Sequence, residues 1–232
     1  MKRTLFLFAT LLVFGCASKP QIGPNGLPDK PFDLPDPSAP VTTRSISEIA
    51  RAVDQLRPII GRYPPVFRDA AQRDAIYEQW SETVLSAEAL DPQEAEETRL
   101  SLLAELYRQG HNLDVLGAAE RAESNIDRCL SAYLFSRQCN LSASYFYLSV
   151  AVTPEALAKA ERSLVILRAR AGPALDEETE AGFALLYLFK RDPERARAQI
   201  EYFLETFPSS SRVRDFQSIL DNLGPTIEYK EQ

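Results

Sequence analysis

The chain has 232 residues, of which 26 are basic and 33 are acidic, and its formal net charge is −7 at pH 7. An acidic chain is poorly suited to binding nucleic acid, which requires cations that neutralise phosphates, so we expect no nucleic-acid partner. The single histidine, His111, excludes a metal site built from several histidines.

Residues 1–15 have the layout of a secretory signal peptide. Lys2 and Arg3 form its positive start. The apolar run that follows, residues 5–14, has only about half of the roughly 20 residues that a membrane-spanning helix needs. Removing residues 1–15 takes away the two cations and no acidic residue, so the formal charge of the remaining chain falls from −7 to −9.

The segment Leu12-Val13-Phe14-Gly15-Cys16 resembles the lipobox of bacterial lipoproteins. The resemblance implies cleavage before Cys16 and acylation of that cysteine. Several acyl chains together anchor a protein stably without a spanning helix. Ala17 stands where lipoproteins retained in the inner membrane typically have aspartate, so the resemblance implies the outer membrane, with the domain facing the periplasm. An ordinary signal peptide with an incidental cysteine is the alternative.

Residues 16–44 are predicted to comprise the lipidated cysteine and a proline-rich linker. Seven prolines and two glycines occur between residues 17 and 43 with no apolar period. Such a composition cannot build a core and is typical of an extended spacer. The folded domain is therefore expected to begin at Ser45.

From Ser45 onward, apolar residues recur at the spacings of three and four that are typical of one helix face. Ser45 and Glu48 have the spacing of a capping box. Three more helix starts are marked by a capping residue followed by proline, at Asp91-Pro92, Thr153-Pro154 and Asp192-Pro193. Glycines mark helix ends at Gly110, Gly172 and Gly224. The sequence predicts nine helices, the fourth including Leu116, in an all-α domain over residues 45–224 with a tail at 225–232.

Short turns between these helices require neighbours to run antiparallel, and two of the cap signals lie 39 positions apart. This self-similarity predicts antiparallel helical hairpins stacked as a short solenoid. The pattern over residues 92–223 resembles tetratricopeptide repeats, as found in periplasmic lipoproteins that help assemble outer-membrane proteins. The residues that carry the resemblance are Leu100, Leu103, Ala104, Tyr107, Ala119, Ala122 and the segment 198–220. A generic helical bundle is the alternative.

Cys129 and Cys139 are the only cysteines besides Cys16. An oxidising compartment permits a disulfide between them, which requires the helix that carries Cys129 to end soon afterwards. Two buried thiols are the alternative, since a free cysteine packs like a small apolar side chain. We favour the disulfide.

Motifs for catalysis are missing from the sequence: there is no phosphate-binding glycine loop, no Cys-x-x-Cys and no nucleophile elbow. Its carboxylate clusters fall in predicted first turns of helices, where negative charge is stabilised by the helix dipole. We therefore expect a protein that is not an enzyme and uses no cofactor or metal.

The favoured function is a scaffold or assembly factor that holds a protein partner in an envelope complex. The repeat register predicts that one face of the third helix lines the binding groove, with the side chains of Thr98, Ser101, Glu105 and Arg108. The alternative is a lipoprotein that binds a small molecule or lipid and works with a transporter. Its cavity would be lined by the aromatic residues Trp80, Tyr145, Phe146 and Tyr147.

Overall fold

The computed structural model describes residues 31–93, 95–150 and 153–223. The predicted signal peptide, Cys16 and the tail at 225–232 lie outside these ranges. Within them the chain forms nine helices: α1 (Ile46–Ile60), α2 (Ala70–Glu88), α3 (Glu96–Asn112), α4 (Ala118–Ala132), α5 (Arg137–Ser149), α6 (Pro154–Ala171), α7 (Glu177–Phe189), α8 (Pro193–Thr206) and α9 (Val213–Asn222). The predicted all-α class is confirmed. None of the helices in these ranges is long and apolar enough to cross a membrane.

Local capping chemistry sets several of the helix starts. Ser45 and Glu48 form the predicted capping box, in which each side chain hydrogen-bonds the backbone of the other residue. Thr153 and Asp192 cap α6 and α8, and each is followed by the expected proline in the first helical turn. These interactions satisfy backbone N–H groups that have no partner inside the helix. The predicted starts of all three helices are therefore confirmed.

The start and end of α3 differ from the sequence prediction. Asp91 was the predicted cap, but its carboxylate accepts a hydrogen bond from the Gln93 backbone in a turn. Ala95 then adopts a left-handed conformation, with φ 48°, and the helix begins at the next residue. Gly110 was predicted to end the helix, yet α3 runs on to Asn112. The prediction was wrong because this glycine provides space for a neighbour: a Cβ at Gly110 would lie 2.3 Å from the Trp80 ring.

The start of α4 was also misplaced, because Leu116 lies in the exposed turn before the helix and not inside it. Gly117, with φ 76°, occupies the left-handed region that favours glycine, and it forms the residue before α4. The helical spacing of Leu116 relative to later apolar residues predicted a helix at this position and did not indicate the turn.

Successive helices pack as stacked hairpins. The pairs α1–α2, α3–α4, α5–α6 and α7–α8 are in contact, and α9 packs on α8. The odd helices α1, α3, α5 and α7 also pack on one another in order. The even helices within the described ranges do not pack backbone to backbone, and meet through side-chain pairs such as Lys159 of α6 with Glu123 of α4. The odd helices thus lie closer together than the even ones, so the stack bends towards them. We call this side the odd-helix layer.

The apolar core has a large cluster, a separate C-terminal one and a small one around Cys129 and Cys139. The large cluster extends from α1 to α7 and includes the fully buried Trp80. The C-terminal cluster joins α7, α8 and α9 through Phe203 and Phe216, whose ring centroids are 4.8 Å apart. Leu185 packs against both clusters. This division is expected for a stack in which each unit is supported mainly by its neighbours.

Residues 31–44, which the composition assigns to the linker, contact the domain. The Phe32 backbone forms an isolated β-bridge with the α3–α4 turn, and its ring stacks on Tyr77 with centroids 4.1 Å apart. Further along, the Ser86 hydroxyl donates a hydrogen bond to the Thr42 carbonyl. Proline content indicates an extended backbone but does not indicate whether an aromatic residue within it finds a docking site, so the contact was not foreseen.

Candidate functional site

The four residues predicted to line a groove do share one face of α3, and that face belongs to the odd-helix layer. Thr98 and Glu105 are partly exposed, whereas Ser101 and Arg108 are buried. The Ser101 hydroxyl lies 3.3 Å from the Gln138 side-chain oxygen on α5. The face therefore contributes contacts between helices, and only part of it is accessible to another molecule.

Arg108 binds the carboxyl end of α1. Its Nη1 donates to the Gly61 carbonyl oxygen at 3.0 Å. Asn112 donates to the Ile60 carbonyl oxygen at 2.9 Å, and Gln109 donates to that of Val53. The last carbonyl groups of a helix have no partner inside it, and a cation near them is stabilised by the helix dipole. These three side chains on α3 therefore hold α1 in the stack.

The carboxylate of Glu105 balances the positive charge of Arg108. Two guanidinium nitrogens of Arg108 donate to its carboxylate at 2.7 and 2.8 Å, and Arg57 of α1 lies 3.8 Å away. Burial alone would raise the pKa of Glu105, but the charge and hydrogen bonds of Arg108 outweigh it, so the pKa lies below its ordinary value. The carboxylate is thus ionised at neutral pH, and the pair contributes no free charge to a ligand.

The odd-helix layer continues through Tyr145 on α5. Its hydroxyl donates to the Glu178 backbone oxygen at 2.9 Å, and the Arg212 guanidinium lies 5.7 Å from its ring centroid. Burial raises the pKa of Tyr145 to about 12, so the phenol stays neutral. Tyr145 therefore ties α5 to α7 and to the residue that precedes α9.

The other aromatic residues proposed as a ligand pocket belong to the core. Trp80, Phe146 and Tyr147 are all buried in the large apolar cluster. The Trp80 indole donates to the Leu106 carbonyl oxygen at 2.7 Å, and the Tyr147 hydroxyl donates to Glu123 at 3.1 Å. Their polar groups are thus bound within the protein, and the rings pack in its core.

Cys129 and Cys139 form a disulfide with a Cα–Cα distance of 5.6 Å. It joins the last turn of α4 to the first turn of α5. Between these helices lies a four-residue connection, residues 133–136, which we call the α4–α5 turn. Leu134 and Phe135 at its tip are exposed. The exposed tip was missed from the sequence, although a leucine and a phenylalanine adjacent to each other between the two cysteines were a visible signal.

An open cleft of about 340 Å³ lies between α6, α7 and α8. Glu180 is almost fully buried there and accepts hydrogen bonds from Arg168 and from Gln199, the latter at 2.8 Å. Leu175 and Tyr202 form its exposed apolar side. Glu180 belongs to one of the carboxylate clusters predicted to lie in a first helical turn, and no local pattern shows that side chains of three different helices form this cleft.

Comparisons of the chain with models of known families, with curated proteins and with solved structures find no match. In the described ranges there is no group of three or more histidine, cysteine, aspartate or glutamate side chains that could hold a metal ion. The class that the geometry defines is a stack of antiparallel helical hairpins with a curved layer of four odd-numbered helices.

Proposed function

We propose that this protein is a lipid-anchored envelope lipoprotein with a tetratricopeptide-like domain, which acts as a scaffold for a protein partner. The lipobox-like segment ending at Cys16 supports the anchor, and Ala17 supports the outer membrane, with the domain in the periplasm. The disulfide between Cys129 and Cys139 suits an oxidising compartment.

The observation that carries the scaffold role is the continuous odd-helix layer. Stacked helical hairpins that bend towards one layer create an extended concave surface, which repeat proteins use to bind other chains. On this layer, Thr98 is partly exposed and Gln138 is exposed. Polar side chains of this kind suit a peptide or helix with its own hydrogen-bonding groups.

The anchor is tested by replacing Cys16 with serine. A serine cannot accept the lipid through a thioether, so we expect Cys16→Ser to move the protein out of the membrane fraction or to leave it with its signal peptide. Fractionation and metabolic labelling with a palmitate analogue measure this. Labelling that persists in Cys16→Ser would contradict the proposed anchor.

The scaffold role is tested by photo-cross-linking of the full chain in its own cells. A photoreactive amino acid at Gln138, in the odd-helix layer, is expected to give a discrete adduct with another envelope protein. The same group at Arg162, an exposed position on α6 outside that layer, serves as the matched control. Equal adducts from both positions, or none from Gln138, would contradict binding by the odd-helix layer.

Binding of a small molecule or lipid for a transporter is the second candidate function, and the cleft at Glu180 favours it. Its volume of about 340 Å³ falls within the roughly 300–1,000 Å³ of ligand pockets. The cleft is open and its buried carboxylate is already paired with Arg168, so it presents few unsatisfied polar groups to a ligand. The scaffold therefore remains the favoured function.

A further inference from the structure

We propose that the tip of the α4–α5 turn is a docking site for a basic, apolar segment of a partner protein. The inference rests on the proposed scaffold function and concerns the turn that borders the odd-helix layer. Leu134 and Phe135 form this tip, with 53% and 67% of their surface exposed. Exposed apolar side chains that lie next to one another form a contiguous patch, and contiguous apolar patches, unlike singly exposed residues, mark sites that bind another molecule.

The turn is held rigidly, so its apolar tip is presented in one conformation. The disulfide closes its base. The Leu134 carbonyl oxygen accepts a hydrogen bond from Asn140 at 2.8 Å, and that of Phe135 accepts one from Arg170 of α6, also at 2.8 Å. A preorganised surface loses little conformational entropy on binding, which favours affinity.

A third exposed apolar side chain lies in the α6–α7 turn, which an ion pair joins to the α4–α5 turn. Arg137, two residues after Phe135, contacts the Asp176 carboxylate at 2.8 Å. Leu175 directly precedes Asp176 and is itself exposed. Hydrogen bonds from Thr179 and Arg137 outweigh the effect of burial and hold the pKa of Asp176 below its ordinary value. The ion pair is therefore formed at neutral pH and keeps the two turns together.

The charges around the tip indicate the chemistry of the partner. Glu96 and Glu97 accept hydrogen bonds from Tyr133 and Ser136 at the two ends of the turn. Neither carboxylate has a basic partner within the described part of the chain. Asp176 and Glu178 pair with Arg137, so four carboxylates contact the turn or the residue that follows it, where the contacting cations are Arg137 and Arg170.

An apolar tip with a net negative surround is complementary to a segment that carries both leucine-like and lysine- or arginine-like side chains. An anionic lipid surface would be repelled by the same carboxylates. A protein segment therefore fits the site better than a membrane does.

The test uses the lipidated full chain in phosphatidylcholine nanodiscs and a labelled amphipathic peptide of leucine and lysine. Fluorescence anisotropy is expected to show binding that Phe135→Ser weakens at least tenfold. Leu116→Ser is the matched control, because Leu116 is an equally exposed apolar residue, at 57%, in the α3–α4 turn. It should change the affinity less than twofold. A leucine–glutamate peptide should bind at least tenfold more weakly than the leucine–lysine peptide.

A second variant keeps the test decisive if Phe135→Ser does not fold. Glu96→Lys leaves the apolar tip intact and reverses one charge beside it. It should therefore weaken binding of the leucine–lysine peptide and strengthen binding of the leucine–glutamate peptide. Equal affinity of the wild type, Phe135→Ser and Glu96→Lys for the lysine peptide would overturn the proposal. Quenching of Phe135→Trp fluorescence by brominated lipids would assign the tip to the bilayer, and self-association that Phe135→Ser abolishes would assign it to a second copy.

This result is separable from that of the scaffold itself. If the Gln138 adduct persists in Phe135→Ser and the peptide does not bind, the scaffold stands and the docking tip is wrong. If the peptide binds through Phe135 and Gln138 gives no adduct, the docking tip stands and the odd-helix layer is not the binding surface.

Discussion

Replacing Phe203 with alanine is expected to unfold the three C-terminal helices while the rest of the domain stays folded. Phe203 is fully buried and contacts Phe216 across the α8–α9 pair. Removing a buried phenylalanine side chain costs about 3–5 kcal/mol, a large share of the roughly 5–15 kcal/mol by which domains are stable. Because the C-terminal cluster joins α7, α8 and α9, this loss is concentrated in those three helices.

Hydrogen exchange measures this directly. In Phe203→Ala, amide protection should be lost across residues 176–223 and retained in α3 and α4. The control is Tyr202→Ala, which alters the neighbouring aromatic residue on the same helix but at an exposed position. Uniform loss of protection would show that the domain unfolds as one unit, and unchanged protection would show that Phe203 contributes little to packing.

The second large effect is expected at Trp80. Its indole is fully buried and packs 6.3 Å from the Tyr107 ring, centroid to centroid, while its N–H is bound to the Leu106 carbonyl oxygen. We expect Trp80→Ala to lower the free energy of unfolding by about 3–5 kcal/mol, measured by urea denaturation of the full chain. A decrease below about 1 kcal/mol would contradict the central position of this ring in the core.

A substitution at Gly110 tests the Trp80 contact further. The effect of Gly110→Ala on the free energy of unfolding should have opposite signs in the wild type and in Trp80→Ala. In the wild type, Gly110→Ala places a methyl group against the indole ring, and overpacking costs about 1–3 kcal/mol. In Trp80→Ala the ring is gone, and alanine inside a helix is more stable than glycine by about 1 kcal/mol. Gly110→Ala should therefore destabilise the wild type and stabilise Trp80→Ala. The same sign in both backgrounds would mean that the two residues do not contact.

The odd-helix layer shows where prediction from sequence reaches its limit. The register of α3 correctly placed Thr98, Ser101, Glu105 and Arg108 on one helix face, since positions three and four apart coincide on a helix. It could not show that Arg108 reaches Gly61 at the end of α1, because the two residues are 47 positions apart in the chain. Partners so distant in sequence are set by how helices cross, and no local pattern encodes the crossing.

The sequence by itself determined the all-α class, the position of most helices and the antiparallel hairpins. These follow from apolar spacing, capping residues and proline, which act within a few residues of one another. Only the tertiary structure decided that Gly110 lies inside a helix against Trp80, and that residues 31–44 pack on the domain. It also decided that an exposed apolar tip stands at the α4–α5 turn. Each of these depends on which distant surfaces meet, because burial removes apolar area from water wherever along the chain that area originates.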